Sequence, residues 1–135
     1  MIKFGDTYLK FGDTYLTDWM SPAGPDPYNP LNLPPYTVRV RTNNGKAPEN
    51  PWGNHGAATL VEGTTDTYDV AIFGNSTGAF ANSYNVIEVL GANTTDVTNM
   101  NLMFNYCKNL TSVALFDTSN LTSMYGMFGA CSRLT

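Results

Sequence analysis

A 24-residue period runs through the C-terminal part of the chain. Val97-Thr98-Asn99-Met100 aligns with Leu121-Thr122-Ser123-Met124, and in that register Met103-Phe104 falls on Met127-Phe128, Cys107 on Cys131 and Leu110 on Leu134. Upstream, Val89 falls on Val113 and Thr94 on Thr118. One unit of this length cannot bury its own apolar face. Stacked units place like residues above one another and share a continuous core. Each unit is expected to supply a short strand (112–115), a polar Asp-Thr-Ser-Asn turn, and a compact turn or short helix around 124–128. The expected columns are Met100/Met124, Phe104/Phe128, Cys107/Cys131 and Leu110/Leu134. Thr135 falls in mid-repeat with about two units visible, and a stable stack wants about three. Further repeats or another chain are therefore expected to cover the apolar edge at Phe128 and Leu134.

The run Asn-Leu-Thr-Ser-Val-Ala-Leu-Phe-Asp-Thr-Ser-Asn-Leu-Thr-Ser-Met-Tyr-Gly-Met-Phe-Gly-Ala-Cys, residues 109–131, resembles the BspA-like leucine-rich repeats of bacterial surface proteins. Their hallmark is a Thr-Ser-Asn-Val-Thr-x-Met-x-x-Met-Phe-x-x-Cys-x-x-Leu run. The chain departs from it with Leu121 in place of Val, and with Thr94-Thr95-Asp96 in place of the usual turn of the first unit. The period also lies within the leucine-rich-repeat range of about 20–29 residues. The resemblance covers residues 86–135, just over a third of the chain. It implies a leucine-rich-repeat-like solenoid, and adhesion or protein recognition with no catalytic residues.

Three further segments precede the repeat. Phe4-Gly5-Asp6-Thr7-Tyr8-Leu9-Lys10 is followed by Phe11-Gly12-Asp13-Thr14-Tyr15-Leu16-Thr17, a near-perfect duplication. Gly-Asp suits a two-residue hairpin turn, and the other residues mostly favour strands, near 2–4, 7–11 and 14–16. Residues 1–20 therefore read as an N-terminal β-ribbon. It either packs on its own domain or serves as an aromatic attachment ribbon whose partner-binding residues are Phe4, Tyr8, Phe11, Tyr15 and Trp19. Residues 21–35 hold six prolines and read as a Pro-rich linker, either a stiff arm or a loop laid along the domain surface. Residues 36–85 read as a small antiparallel β domain. Strands are expected at 36–42, 58–61 and 67–73, with a further one at 86–90 that leads into the repeat. In the first, Tyr36, Val38 and Val40 face one way and Thr37, Arg39 and Arg41 the other. The fold class is mainly β throughout.

The chemistry of the chain is sparse. Only 13% of residues are charged, and the net charge of −4 gives no basic face for nucleic acid. No run approaches the roughly 20 apolar residues of a membrane span. One histidine and two cysteines leave metal and cofactor sites without ligands, so none is expected. His55 is expected in a solvated loop between Gly53 and Gly56, and Cys107 and Cys131 as buried thiols of the repeat. Gly74-Asn75-Ser76-Thr77-Gly78 has the form of a nucleophile elbow. However, the only histidine precedes the serine, which is the wrong order for that fold, so it reads as a turn. Glu62, Asp66 and Asp69 lack calcium-loop spacing and read as a solvated strand edge. Asn75, Asn93, Asn109 and Asn120 head glycosylation sequons that also suit turn chemistry.

No catalytic residue is expected. Met1-Ile2-Lys3-Phe4 opens without an apolar signal-type run. A surface-displayed repeat without an export signal fits a particle released by lysis. The expected function is thus a virion structural protein, a phage fibre or decoration-like appendage. It is anchored by its N-terminus to other virion proteins or to copies of itself, the latter including a trimer formed by strand exchange, and binds a host-surface ligand through its repeats. The alternatives are a bacterial cell-surface adhesin and an intracellular scaffold.

Overall fold

The computed structural model describes residues 26–135 and, before them, the backbone of two short strands, β1 (Lys10–Phe11) and β2 (Thr14–Tyr15). These pair antiparallel, Lys10 with Tyr15 and Phe11 with Thr14, within the stretches 7–11 and 14–16 expected as strands; the Gly12-Asp13 turn expected between them lies outside the described residues. The strand expected near 2–4 lies outside the described residues.

The main sheet has five strands in the order β4-β5-β3-β6-β7: β3 (Thr37–Thr42), β4 (Ala58–Leu60), β5 (Thr67–Ala71), β6 (Val86–Asn93) and β7 (Ser112–Val113). Its centre is β3, antiparallel to both β5 and β6. The alternation read from the sequence appears directly in the burial of β3. Val38, Val40 and Thr42 are buried, while Thr37, Arg39 and Arg41 are half-exposed. Period-2 side-chain direction makes each strand residue either core or surface. On the outer face Arg39 binds Asp69 through two bonds of 2.7 and 2.9 Å, and Arg41 binds Glu88 at 3.0 Å. Asp66 lies 3.8 Å from Arg41. Two of the three clustered acids thus face arginines across the sheet.

Tyr36 departs from the expected pattern. It precedes β3, takes φ +58°, and is exposed. Its N–H donates to the Asn93 carbonyl and its carbonyl accepts from Ile72 N–H, which ties both flanking strands at the cost of a left-handed turn.

The Pro-rich stretch does not extend as a spacer over its described part. Asn29 brackets Leu33, with Oδ1 accepting from Leu33 N–H at 2.9 Å and Nδ2 donating to the Leu33 carbonyl at 3.0 Å. Asn93 of β6 donates to the same carbonyl at 2.9 Å, and Leu31 covers Gly91, where any Cβ would stand 2.7 Å from Leu31 Cδ1. Side-chain amides supply the bonds that proline removes from the backbone. Residues 29–33 therefore lie along β6.

The fifth strand makes the sheet mixed rather than purely antiparallel. β7 runs parallel to β6, Glu88 beside Ser112 and Val89 beside Val113. That register is the 24-residue period itself, expressed as neighbouring strands. One apolar cluster runs from Val38 and Val70 through Phe80 and Val89 to Phe104, Leu110 and Met127. Sheet and core thus continue across residue 86, where the sequence suggests a division. The described residues contain no helix, and the compact segment at 124–128 is a turn.

Candidate recognition surface

The repeat places three like units side by side, one more than the two expected from the sequence. Parallel bridges join Asn75 to Asn99 and Asn99 to Ser123. The N–H groups of Ser76, Gly78, Phe80 and Asn82 donate to the carbonyls of Asn99, Asn101, Met103 and Asn105 at 2.7–2.9 Å. One period later, Met100, Leu102, Phe104 and Tyr106 donate to Ser123, Tyr125, Met127 and Gly129 at 2.8–2.9 Å. The backbone repeats as closely. Left-handed residues recur at Gly78, Leu102 and Gly126, and again at Asn82, Tyr106 and Ala130. Glycine and asparagine tolerate this conformation, whereas Leu102, Tyr106 and Ala130 are held in it at about 1–2 kcal/mol each. At Leu102 and Tyr106 the N–H bonds to the next unit supply compensating stabilisation.

The first unit escaped the sequence reading because few of its side chains match. Asn75 repeats as Asn99, Gly78 as Gly126, and Phe80 as Phe104 and Phe128, but Ala79, Ser83 and Val86 stand where later units carry Met, Cys and Leu. The Gly-x-Ser-x-Gly pattern is the turn of this unit. Ser76 occupies the register of Met100, is fully buried, and donates through Oγ to the Phe73 carbonyl at 2.6 Å.

Inside the units, Phe80, Phe104 and Phe128 stack in a column. Centroids are 5.1 and 5.6 Å apart and the planes lie within 2° and 6° of parallel. Phe116 packs beside Phe104 at 6.1 Å. Each thiol reaches the phenylalanine carbonyl of the preceding unit: Cys107 Sγ donates to Phe80 O at 3.0 Å, and Cys131 Sγ to Phe104 O at 3.1 Å. Burial, with Cys131 nearby, pushes the Cys107 thiol up to about 12, so it stays protonated and unreactive. Both cysteines are free thiols. Met100 and Leu110 are fully buried, while Leu134 is half-buried and Met124 is exposed at the far end.

The two ends differ. Residues 47–56 cover the first unit. Asn54 Nδ2 donates to the Thr77 carbonyl at 3.0 Å, Trp52 occupies the space above Gly78, and the His55 ring stacks on Phe80 at 5.0 Å. This corrects the expectation of a solvated His55. The ring is 8% exposed because it closes the phenylalanine column. Nδ1 lies 2.8 Å from the Gly56 carbonyl, and Nε2 has no partner among the described residues. Burial holds its pKa below the ordinary value, although the Gly56 and Glu49 carbonyls work in the opposite direction. At the other end Leu115, Met124 and Tyr125 are exposed. No described residue accepts from the N–H groups of Met124, Gly126, Phe128 or Ala130, the next in the bonding series.

With this arrangement in view, the family profile described as "Mycoplasma protein of unknown function, DUF285" matches residues 63–135, more than half of the chain. The chain belongs to this family. No curated protein and no solved structure matches it. The DUF285 segment begins just ahead of β5 and takes in all three units, while β3, β4 and the residue 47–56 cover come before it.

Polar side chains stitch the DUF285 units together on their exposed side. Thr98 and Thr122 each donate, through N–H and Oγ1, to the carbonyl 24 positions earlier. Asn101 Oδ1 accepts from Tyr125 N–H and Ser123 Oγ, and Asp117 accepts from Ser119 N–H and Thr95 Oγ1. These bonds lower the Asp117 pKa, the Ser119 backbone contributing most. All four sequon asparagines use their amides within the fold: Asn75 toward Thr77, Asn93 toward Leu33 and Thr95, Asn109 toward Tyr84, and Asn120 toward Thr95. Among the described residues no group of three or more His, Cys, Asp or Glu side chains could hold a metal, and no helix is long and apolar enough to cross a membrane. Of the expected attachment residues, Phe4, Tyr8 and Trp19 lie outside the described residues. Phe11 and Tyr15 are described as strand backbone only.

Proposed function

We propose that this protein is a non-catalytic recognition protein whose three units begin a BspA-like leucine-rich-repeat solenoid displayed for contact with a surface ligand. The observation that supports the reading is the Phe80–Phe104–Phe128 column with its period-matched N–H to carbonyl bonds. Polar side chains along the stack are spent on neighbouring units, an arrangement suited to a rigid contact surface. The setting proposed is a bacterial cell surface, where the protein acts as an adhesin. The description of its family names Mycoplasma proteins, which fits the bacterial part of that setting.

The virion fibre or decoration-like appendage is the second reading. The paired strands at Lys10–Phe11 and Thr14–Tyr15 favour it, as the start of a ribbon through which the chain would join other virion proteins or copies of itself. Mass spectrometry of washed cell envelopes and of purified phage particles separates the two. Enrichment in envelopes is the expected result, and recovery only in particles replaces the adhesin with the appendage. Deleting residues 1–20 should abolish attachment and leave the circular dichroism of the remainder unchanged. Attachment that survives the deletion removes the ribbon from the proposal.

A further inference from the structure

A cleft of about 670 Å³ opens beside the cover of the first unit, lined by Glu49, Asn50, Pro51, Trp52, Asn82 and Tyr84. Its volume falls in the range of small-ligand sites, roughly 300–1,000 Å³. Trp52 and Tyr84 are 46% and 43% exposed, so each presents a large aromatic surface to solvent. Both are nevertheless fixed. The six-membered ring of Trp52 rests where Gly78 has no side chain, and a Cβ there would stand 2.4 Å from Cε3. Tyr84 is held at its N–H by Glu49 Oε1 at 2.9 Å, at its hydroxyl by Asn82 Oδ1 at 3.2 Å, and on its ring by Lys108 Nζ, 5.5 Å from the centroid. Glu49 is anchored in turn, its N–H donating to Asn85 Oδ1 at 2.9 Å and its carbonyl accepting from Ser83 Oγ.

The polar groups left over define the ligand. Asn50 uses both ends of its amide, on Asn54 N–H and the His55 carbonyl. Glu49 Oε2 and Asn82 Nδ2 have no described partner, one an acceptor and the other a donor. An acceptor and a donor beside two fixed aromatic faces match a pyranose, which has an apolar C–H face and adjacent hydroxyls that both give and take hydrogen bonds. The Glu49 carboxylate disfavours anionic ligands, and Lys108 is already engaged over Tyr84. Preset rings also reduce the ordering cost of binding.

We propose that Glu49, Trp52, Asn82 and Tyr84 form a binding cleft for a neutral oligosaccharide, with the sugar faces stacking on Trp52 and Tyr84 and hydroxyls bonding to Glu49 and Asn82. The inference goes beyond the contact role of the repeat and does not rest on it. The test is NMR titration of the full chain with cellotetraose, chitotetraose, mannotetraose and the acidic 3′-sialyllactose, with a synthetic peptide of residues 21–35 as a Pro-rich competitor. The expected result is saturable binding of at least one neutral tetrasaccharide. Shift changes should centre on Glu49, the Trp52 indole, Asn82 and Tyr84, with no binding of sialyllactose. Trp52→Ala and Tyr84→Ala should each weaken affinity about tenfold, the scale of one lost aromatic contact. Tyr84→Phe, which keeps the ring, should retain binding. The proposal is overturned if no neutral sugar binds, if the shifts fall elsewhere, or if the Pro-rich peptide alone occupies the cleft. Because the mapping uses the unsubstituted chain, a variant that fails to fold leaves the result standing.

Discussion

Phe104 is the middle ring of the column, fully buried and stacked between Phe80 and Phe128 with Phe116 alongside. A phenylalanine buries about 150–250 Å². At about 25 cal/mol per Å² that is worth roughly 4–6 kcal/mol as an upper bound. Phe104→Ala opens a cavity with rings on both sides that their own backbone bonds keep from collapsing. The expected loss is therefore about 3–5 kcal/mol, a large share of the roughly 5–15 kcal/mol of a typical domain. Phe128 is only half-buried and has a single stacked neighbour, so Phe128→Ala should cost about 1–2 kcal/mol. Urea unfolding of both variants by circular dichroism measures the two losses, with matched slopes confirming that stability alone has changed. Equal losses at the two positions, or a loss below about 1 kcal/mol at Phe104, would refute the column as an energetic unit.

Ala130→Gly should raise stability by up to about 1 kcal/mol, because the left-handed residue costs more than glycine's extra chain entropy; a lower melting temperature would contradict that. His55 has a lowered folded pKa, so its contribution is intact above its ordinary value of 6.5 and fades as pH falls below it, when the unfolded chain takes up a proton first. Urea midpoints measured from pH 8 to 5 should decline, and His55→Phe should flatten that part of the decline. Cys107 gives the opposite limb. Its thiol is raised from 9.0 to about 12, so stability should fall as pH rises across that interval, and Cys107→Ala should reduce the slope. Asn93→Ala removes one of the two amide donors to the Leu33 carbonyl and should cost about 1 kcal/mol, with faster amide exchange over residues 29–33; unchanged exchange there would show that the segment is held by other contacts.

The main features of the sheet were legible because alternation is local. The residues of β3 sort themselves by period 2. The phenylalanine and cysteine positions were legible for a different reason, since two copies of one pattern reveal a period without any knowledge of geometry. The same method failed at the first unit. There the backbone repeats but the side chains do not, and left-handed conformation at residues 78 and 82 leaves only Gly and Asn as a trace. His55 was misplaced because its flanking glycines suggest an exposed loop. Its burial depends on Phe80, 25 positions away, whose role was itself hidden. The cleft between Glu49 and Tyr84 has no sequence signature, because it arises where the cover meets the first unit.

Residue-resolved amide hydrogen exchange on the 135-residue chain tests the stacking of the units most directly. The amides of Leu102, Phe104 and Tyr106 should be protected as strongly as those of β3, since each donates to a carbonyl one unit further on. Their counterparts Gly126, Phe128 and Ala130, chemically similar but without a described acceptor, should exchange far faster. Fast exchange at Leu102, Phe104 and Tyr106 would mean that the units do not bond to one another in solution.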